Sequence, residues 1–433
     1  MRLSRSMYAA GVVCILFLLS IAGIGMEAAG SEEPAGAEER GSKYGEVSGR
    51  VQLLIMREEF EDTLGENGDA ISGSLAATVN YRSPSLYGVS FQGQYIHALE
   101  LFEGGTIDFP GEEAHFLSNS RFSILNEAFV EFSLAELGAP DTMLRIGRQI
   151  PNYDFAPAYD VRQKAQSFEA IIFSSRPTSW LNIDLGHVDR FSSWSSRREA
   201  VEFQEIAELL GVPYGTAGMQ FISVTGEPIP GARATLYDWH AHDLFNTFGA
   251  KLDLTLSAGE TGSSVLQAHY MGQRDVGRMD EDGFGEIDAD VLDVGVEFKK
   301  GALALKPGIT VAFGDGPEND LLLPFRSTLT IDTEVIWFTR QFRGGSRSAY
   351  LRATYAFGNT VLYGMYVITD HDEDRGPVTG NGALDQELDL AVTHNFTNHL
   401  YLSLIAGYGF QNNHDGLDNS SANDIRLFIG YAF

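Results

Sequence analysis

The spacing of apolar residues constrains this chain more than any other feature of its sequence. In the stretch 71–82, Ile71 and Val79 fall on one face, while Ser72 and Thr78 fall on the other. A period of two is the spacing of a β-strand that separates an apolar from a polar medium. After residue 30 no run approaches about 18 consecutive apolar residues, so no transmembrane helix is expected. The pattern predicts an all-β chain, either a soluble domain or a transmembrane barrel.

The N-terminus has the parts of a secretory signal peptide. Arg2 and Arg5 supply positive charge, 9–25 is an apolar run, and small residues follow it. We predict a signal peptide at 1–30, with Ser31 as the first residue of the mature chain. The alternative is a membrane anchor, although the apolar run is at the short limit for a span.

Charge and cysteine content narrow the possible partners. The only cysteine is Cys14, within the predicted signal peptide, so the mature chain has neither a disulfide nor a Cys-ligated metal site. The formal net charge of −29 opposes binding to nucleic acid, whose phosphates need Lys and Arg. Such an acidic chain suits a protein whose loops meet cations or a cation-bridged lipopolysaccharide surface. No cofactor is predicted.

Marking every alternating run predicts about eighteen strands, each long enough for a tilted membrane strand. They cover 49–57, 71–82, 87–98, 122–133, 143–149, 167–175, 181–188, 217–225, 233–240, 245–257, 264–273, 289–299, 303–313, 346–357, 360–368, 384–395, 401–411 and 425–433. A short acidic periplasmic segment at 31–48 precedes them, and together they form one barrel domain at 49–433.

The connections between these strands test the count. In a bacterial outer-membrane barrel both termini are periplasmic, so long outer loops alternate with short inner turns. Every second connection is short, with tight turns at 300–302 and 358–359, and the others are long except 241–244. A soluble sandwich has no reason to sort its loops in this way. We therefore predict an antiparallel transmembrane β-barrel of about 18 strands.

Two segments leave the strand number open. Strand 217–225 is weak and is retained partly because an even count requires it. The stretch 328–342 also alternates, and a hairpin there would add two strands. Barrels of roughly 16 or 20 strands are the alternatives.

The chain ends as outer-membrane barrels do. One face of the last strand carries Ile425, Leu427, Ile429, Tyr431 and the terminal Phe433. This pattern resembles the signal that the barrel-assembly machinery of Gram-negative bacteria recognises, and the alternative is an ordinary amphipathic strand. We expect an integral outer-membrane protein in contact with lipid and lipopolysaccharide.

Several short motifs lie between 144 and 187. They are Gly147-Arg148-Gln149, Pro151, Asp160-Val161-Arg162, Gln166-Ser167-Phe168-Glu169 and Leu185-Gly186-His187. In this order they resemble the OprD family of substrate-specific porins. Two weaker similarities follow, at Gly314-Asp315-Gly316-Pro317 and in the strand 346–357. The sequence departs from the family at Lys164-Ala165, where an apolar residue and proline are usual, and at Trp194 with its flanking serines.

The resemblance implies a function. It implies a passive, substrate-selective porin for small hydrophilic solutes, such as amino acids or organic acids with a carboxylate, in a monomer or weak trimer. It implies a pore loop that carries Asp160 and Arg162, with Arg148 in the same motif set, and a further pore loop opened by Asp315. A row of basic residues would guide the carboxylate past acidic loop residues.

Alternation along the strands predicts which cations face the lumen. The cations on polar rows are Arg82, Arg145, Lys251, Lys306, Arg352 and Arg426. A cation at the lipid midplane costs about 2 to 4 kcal/mol, which forces these side chains inward. They either select a solute or only balance the inward acids, which are Glu131, Asp253, Glu297 and Asp389.

A barrel of this size is too wide to select small solutes unless loops fold into its lumen. The best candidates are 150–166, 189–216 and 314–345. The last contains the apolar run 321–325, which is not on a lipid-facing strand and is therefore expected to tuck inward. The alternative is a surface loop that contacts lipopolysaccharide.

Catalytic and metal sites have weak support. His240 and His242 precede Asp243 at a short outer turn, but two ligands on an exposed turn are little evidence for a metal. The acidic run 370–374 is followed by Arg375, where a calcium loop needs glycine. We predict no catalytic residue and no metal site. The rival functions are an alginate-type polysaccharide exporter and a plugged structural or adhesive barrel.

Overall fold

The computed structural model describes ten segments of the chain. They are 44–61, 67–106, 121–158, 162–193, 202–259, 262–281, 285–325, 340–371, 383–413 and 419–433. The predicted signal peptide and most of the acidic segment at 31–48 lie outside them. The first strand begins at Glu46, slightly before the predicted start of the barrel domain.

Eighteen antiparallel strands form one closed sheet. They are β1 (Glu46–Glu61), β2 (Asn67–Arg82), β3 (Val89–Thr106), β4 (Phe122–Ser133), β5 (Thr142–Gln149), β6 (Ser167–Thr178), β7 (Leu181–Ser192), β8 (Met219–Ile229), β9 (Ala232–Ala241), β10 (Phe245–Gly259), β11 (Gly262–Asp275), β12 (Asp288–Lys300), β13 (Leu303–Ala312), β14 (Arg347–Phe357), β15 (Thr360–Asp370), β16 (Ala383–Asn395), β17 (Leu400–Asn413) and β18 (Asn419–Ala432). Each strand pairs with the next along the chain, and β18 pairs with β1 to close the barrel. The predicted fold and strand number are confirmed, including the weak strand 217–225, which is β8.

Helical structure is confined to connections. The helical turns are α1 (Ile206–Leu209), α2 (Arg278–Glu281) and the 3-10 turns Ala135–Leu137, Pro317–Asn319 and Arg340–Phe342. Across the described segments, no helix has the length and apolar character needed to cross a membrane. Most of the ambiguous stretch 328–342 lies outside the described residues, and its end forms the last 3-10 turn.

The two faces of the sheet differ in chemistry. On β2, Ser72 and Ser74 are 1% and 0% exposed, whereas Ile71 and Val79 are 40% and 45% exposed. On β18, Ile425 and Ile429 are exposed, as is Phe433 directly after the strand, whereas Asp424 and Arg426 are buried. The exposed apolar rows face lipid and the polar rows face the lumen, because charge at the lipid midplane is costly.

The connections sort to two edges of the barrel. One edge has tight turns such as 230–231 and 358–359, and it also holds the C-terminus. The other edge has the long connections 150–166, 193–218 and 313–346. They are the third, fourth and seventh connections at that edge in chain order, and they are named here loop 3, loop 4 and loop 7. We call these edges periplasmic and extracellular.

Some strands extend further at the extracellular edge than the sequence predicts. β1 continues to Glu61 and β3 to Thr106, whereas apolar alternation ends near 57 and 98. Beyond the lipid neither face needs apolar side chains, so the alternation stops. The backbone groups still need partners, so the ladder of hydrogen bonds continues.

Candidate pore constriction

Loop 3 crosses the lumen and is attached to opposite walls. Asp154 Oδ1 lies 2.7 Å from Lys251 Nζ on β10. Near the other end of the loop, Gln163 donates a 2.7 Å hydrogen bond to Ser74 Oγ on β2 and accepts one of 3.2 Å from Gln52 on β1. Strands β1 and β10 lie half a circumference apart in the closed sheet. The loop therefore narrows the lumen, and its predicted inward fold is confirmed.

The glycine of the Gly147-Arg148-Gln149 motif shapes the wall just before loop 3. Gly147 has a φ of +129°, and a Cβ there would lie 2.2 Å from the carbonyl oxygen of Ala128 on the neighbouring strand. Both the backbone conformation and the close approach require glycine. The glycine in the motif is therefore required by the backbone conformation just before the chain turns into the lumen.

A buried ammonium holds the base of loop 3. Lys164 is 1% exposed, and its Nζ donates to the carbonyl oxygens of Ala165 at 3.0 Å, Ser192 at 3.5 Å and Ser193. A buried cation is stable only when such groups replace its water. Lys164, which departs from the family pattern, therefore fastens the loop to the end of β7.

An aromatic cluster binds loops 3 and 7 to the wall in the extracellular half of the lumen. Phe325 of loop 7 is 1% exposed, and its ring centroid lies 5.6 Å from Phe155 of loop 3. It lies 5.1 Å from Phe168 on β6 and 5.0 Å from Phe191 on β7. Burying each ring stabilises the arrangement by about 1.5–3 kcal/mol. The predicted inward tuck of 321–325 is confirmed.

Loop 4 packs onto the same cluster. Its helix α1 buries Ile206 and Ala207, at 5% and 1% exposure, and Val212 is buried beyond the helix. All three loops expected to fold inward therefore do so in their described parts. Trp194, for which the family has no counterpart, lies outside those parts.

Three of the predicted lumen cations have close acidic partners. Arg145 Nε lies 2.7 Å from Glu131 Oε2, and Arg426 Nη2 lies 2.6 Å from Asp424 Oδ2. Lys251 forms the loop 3 contact described above. Arg82 lies 3.8 Å from Glu131 but is largely exposed at the periplasmic edge. Balancing inward acids therefore explains some of the lumen cations, which was one of the two roles that the sequence suggested for them.

Lys306 and Arg352 are arranged differently. They stand opposite one another in register on β13 and β14. Lys306 is 4% exposed, whereas Arg352 is half-buried, and no ion pair joins Arg352 to any residue in the described segments. Asp293, Glu297 and Asp253 interact electrostatically with Lys306, so the Lys306 ammonium has acidic neighbours and Arg352 adds a further positive charge beside it.

The predicted loop residues do not form one group. Arg162 is 5% exposed, and its Nη2 lies 3.9 Å from the Glu58 carboxylate on β1. The guanidinium therefore attaches loop 3 to the wall and is not turned toward open water. Asp160 lies outside the described residues.

Arg148 and Asp315 lie apart from the other predicted residues. Arg148 is in register with Ala128, on the alternate row of β5 from Arg145, and pairs with Glu169 at 2.8 Å. Its guanidinium also lies 4.2 Å from the Phe203 ring. Asp315 is exposed at the extracellular edge, where its backbone N–H donates to the side chain of Asn319 at 3.1 Å.

Sequence reasoning missed three residues of the attachment. Glu58 and Asp424 are register partners on β1 and β18, beside Arg162 and Arg426. Glu58 continues the alternating inner row of β1 one step beyond its predicted end, so a longer strand would have found it. Gln163 lies in an irregular loop, where no periodic signal exists.

Metal ligands are sparse. Within the described segments, no three or more His, Cys, Asp or Glu side chains group as a metal site would. The rings of His240 and His242 lie 4.9 Å apart, and His240 Nδ1 is 3.2 Å from the side-chain oxygen of Asn246. Most of the acidic run 370–374 lies outside the described residues.

Comparison with known proteins gives a match in fold. No family model and no curated protein sequence matches the chain. The crystal structure of Acinetobacter baumannii OccAB4 aligns with a TM-score of 0.72 at 16% identity, over 90% of this chain and 99% of that one. Pseudomonas aeruginosa OpdK with vanillate aligns at 0.68 and 14% identity, over 89% and 98% of the two chains. OpdQ of the same organism aligns at 0.67 and 14% identity, over 89% and 98%.

The fold is that of integral outer-membrane β-barrels. Within that class it is the fold of the Occ and Opd porins, to which the OprD-type motifs of the sequence pointed. The resemblance seen in the sequence is thereby confirmed at the level of the fold.

Proposed function

We propose that this protein is an outer-membrane porin through which small hydrophilic solutes diffuse passively and selectively. The observation that carries the proposal is loop 3, attached to Lys251 on one wall and Ser74 on the other inside a closed barrel. Selection by size and charge needs a narrow, rigidly held constriction of this kind. The similarity in fold to Occ and Opd porins supports the same function.

In the described segments, apolar and polar side chains of the lumen lie on different parts of the wall. The aromatic cluster packs the side of β6 to β9, where Phe168, Phe191, Phe221 and Trp239 are all buried. The cluster continues as far as Tyr350 on β14 and Met365 on β15. The wall from β16 through β18 to β4 carries hydroxyl, amide and charged side chains, such as Ser74. A hydrated solute follows the polar wall, because entering the apolar cluster would strip its water.

The preferred solutes carry a carboxylate. Arg352, next to Lys306 in register, is a cation that no ion pair in the described segments neutralises, and a guanidinium binds a carboxylate through two parallel hydrogen bonds. One structure of similar fold, OpdK, was solved with vanillate, which is an aromatic carboxylate. Asp253, Asp293 and Glu297, which interact electrostatically with Lys306, act as counter-charges that let the solute leave again.

The partners expected from the sequence remain part of this proposal. They are outer-membrane lipid and lipopolysaccharide around the barrel and the barrel-assembly machinery during insertion. A monomer or weak trimer is the expected state. Catalysis has no part in the proposal.

Liposome swelling tests the proposal. Proteoliposomes should swell in isotonic arabinose, and Arg352→Gln should slow the entry of a small carboxylate relative to arabinose. Arg57→Gln is the matched control, because Arg57 lies on the outer row of β1 and pairs with Asp69 at 3.2 Å. If no solute causes swelling, the barrel is plugged and the proposal fails.

A further inference from the structure

A cavity lies between loop 3 and the part of the wall formed by β1 to β3. Its volume is about 380 Å³, and its polar lining consists of Ser48, Arg50, Thr78, Asn80, Gln94 and Lys164. Pockets that hold small ligands begin at roughly this volume. The cavity is on a different part of the wall from Arg352, which is on β14.

The charged groups that border the cavity are engaged elsewhere. The Lys164 ammonium donates to backbone carbonyls, as described above, and Arg50 already takes part in another interaction. The C-terminal residue Phe433 also lines the cavity, and one of its backbone oxygens accepts a 2.9 Å hydrogen bond from the Gly49 N–H. Contacts with a solute therefore fall to the uncharged side chains, so a neutral solute suits the cavity better than an ion.

Three uncharged side chains form a row across β1, β2 and β3. Ser48 is in register with Asn80, and Asn80 is in register with Gln94. Gln94 Nε2 donates to Asn80 Oδ1 at 2.9 Å, and Asn80 Nδ2 donates to Ser48 Oγ at 3.4 Å. At the end of the row, Gln94 Oε1 accepts a 3.0 Å hydrogen bond from Asn126 Nδ2. These bonds fix the orientation of the two amide groups that line the cavity.

Both amides retain capacity for a solute. A primary amide has two N–H donors and two acceptor positions. The side-chain contacts of Gln94 within the described segments use one donor and one acceptor position, and those of Asn80 do the same. One N–H and one acceptor position on each amide remain to bind a hydroxyl group, which both donates and accepts.

The spacing of the row matches that of the hydroxyl groups on a sugar ring. Neighbouring strands lie about 4.8 Å apart, which is also roughly the distance between equatorial hydroxyl oxygens on alternate carbons of a pyranose. Asn80 and Gln94 are one strand apart, so each can bind one hydroxyl group of the same ring. Ile96 and Ile150, which also line the cavity, offer apolar surface to the C–H groups of the sugar.

We propose that this cavity binds a neutral monosaccharide in transit, with Asn80 and Gln94 each holding one of its hydroxyl groups. The proposal rests on the porin function and goes beyond it, because this site takes an uncharged solute and not the carboxylate that Arg352 binds. A polyether of similar mass should bind less well, because its ether oxygens accept hydrogen bonds but donate none.

Block of the single-channel current by glucose and by tetraethylene glycol tests this site, because the two neutral solutes are similar in mass. For the wild-type channel, glucose should reduce the current at a lower concentration than tetraethylene glycol. Gln94→Met should weaken the glucose block about fivefold, the effect of losing about one neutral hydrogen bond, and leave the tetraethylene glycol block unchanged. Asn80→Leu, which keeps the side-chain shape, should act in the same direction.

Gln267→Met is the matched control, because it removes an amide on β11, which lies opposite β2 in the closed sheet. It should leave both blocking constants unchanged. If the wild-type channel conducts but glucose blocks no better than tetraethylene glycol, or if Gln94→Met and Asn80→Leu leave the glucose block unchanged, the site is refuted, while the porin function stands. If the purified barrel carries no current in potassium chloride, the porin function itself fails.

Discussion

The side-chain amide of Gln163 donates a 2.7 Å hydrogen bond to the hydroxyl of Ser74, so the far end of loop 3 is seated on β2. Arg162, beside it, reaches Glu58 on β1, and Gln52 of β1 also donates to the backbone carbonyl of Arg162 at 2.9 Å. β1 is also the strand that closes the barrel against β18. Closure of the wall and the position of the constriction therefore depend on the same strand.

Replacing Gln163 should loosen the constriction. Gln163→Leu removes the loop partner of the Ser74 hydroxyl and one of the two loop contacts of Gln52, and each buried polar group that loses its hydrogen bond costs about 1–3 kcal/mol. We expect a noisier single-channel current with a larger mean conductance. Gln267→Leu is the control, because Gln267 bonds Asp253 on the wall and not loop 3. If the current of the Gln163 variant is as quiet as that of the wild type, the contacts of Gln163 with β1 and β2 do not determine the constriction.

Charge reversal should affect the thermal stability of the barrel differently at Arg162 and at Arg352, both of which the sequence assigned to the pore. Arg162→Glu puts a further carboxylate beside Glu58 and Asp424, so the loop loses an attachment and the folded barrel should convert to its heat-denatured gel form at a lower temperature. Arg352→Glu lies beside Lys306 and removes a repulsion, so it should not lower that temperature. Equal thermal behaviour of the two variants would contradict the anchoring role of Arg162.

Gly49 should be needed for closure of the barrel. A Cβ on Gly49 would lie 2.5 Å from the ring of Phe433 and 2.5 Å from the carbonyl oxygen of Thr78. Gly49→Ala should therefore reduce the fraction of folded, heat-modifiable protein, with a cost of about 1–3 kcal/mol. At Gly364, another strand glycine, a Cβ would meet Leu390 at an ordinary 3.5 Å, so Gly364→Ala is the matched control. Similar yields of the two variants would mean that the ring of Phe433 can shift.

Protease cleavage on intact cells tests which edge of the barrel is extracellular. Protease sites inserted at 62–66, 372–382 or 414–418, which connect strands at the extracellular edge, should be cleaved from outside. Sites inserted at 179–180 or 396–399, at the periplasmic edge, should be cleaved only after the outer membrane is permeabilised. Cleavage at 396–399 on intact cells would reverse the orientation assigned to the barrel.

The wall could be predicted from the sequence because each strand separates lipid from water. This contrast appears in the sequence as a period of two. The even strand number and the sorting of long and short connections gave a second test of the strand count, and this test correctly retained the weak strand β8. The alternation fails where strands leave the lipid, for example at the extracellular ends of β1, β3 and β18.

The contacts of the inward-folded loops were less predictable, because loop residues follow no periodic pattern of apolar and polar side chains. The apolar run 321–325 revealed its burial through composition alone. Asp154 and Gln163, which fix loop 3, are polar residues in irregular backbone, and their partners lie on distant strands. Arg162 was recognised from its motif, yet the motif does not show whether a guanidinium faces water or a wall carboxylate.

The reversal potential of single channels in a salt gradient tests the central claim, that charges on the lumen wall select solutes in a conducting pore. Wild-type protein should conduct, and Arg352→Glu should shift its reversal potential toward greater cation permeability. Arg57→Glu, on the outer row of β1, should leave the potential unchanged. A channel that conducts with the same reversal potential after the Arg352 reversal, or a barrel that does not conduct at all, would contradict the account.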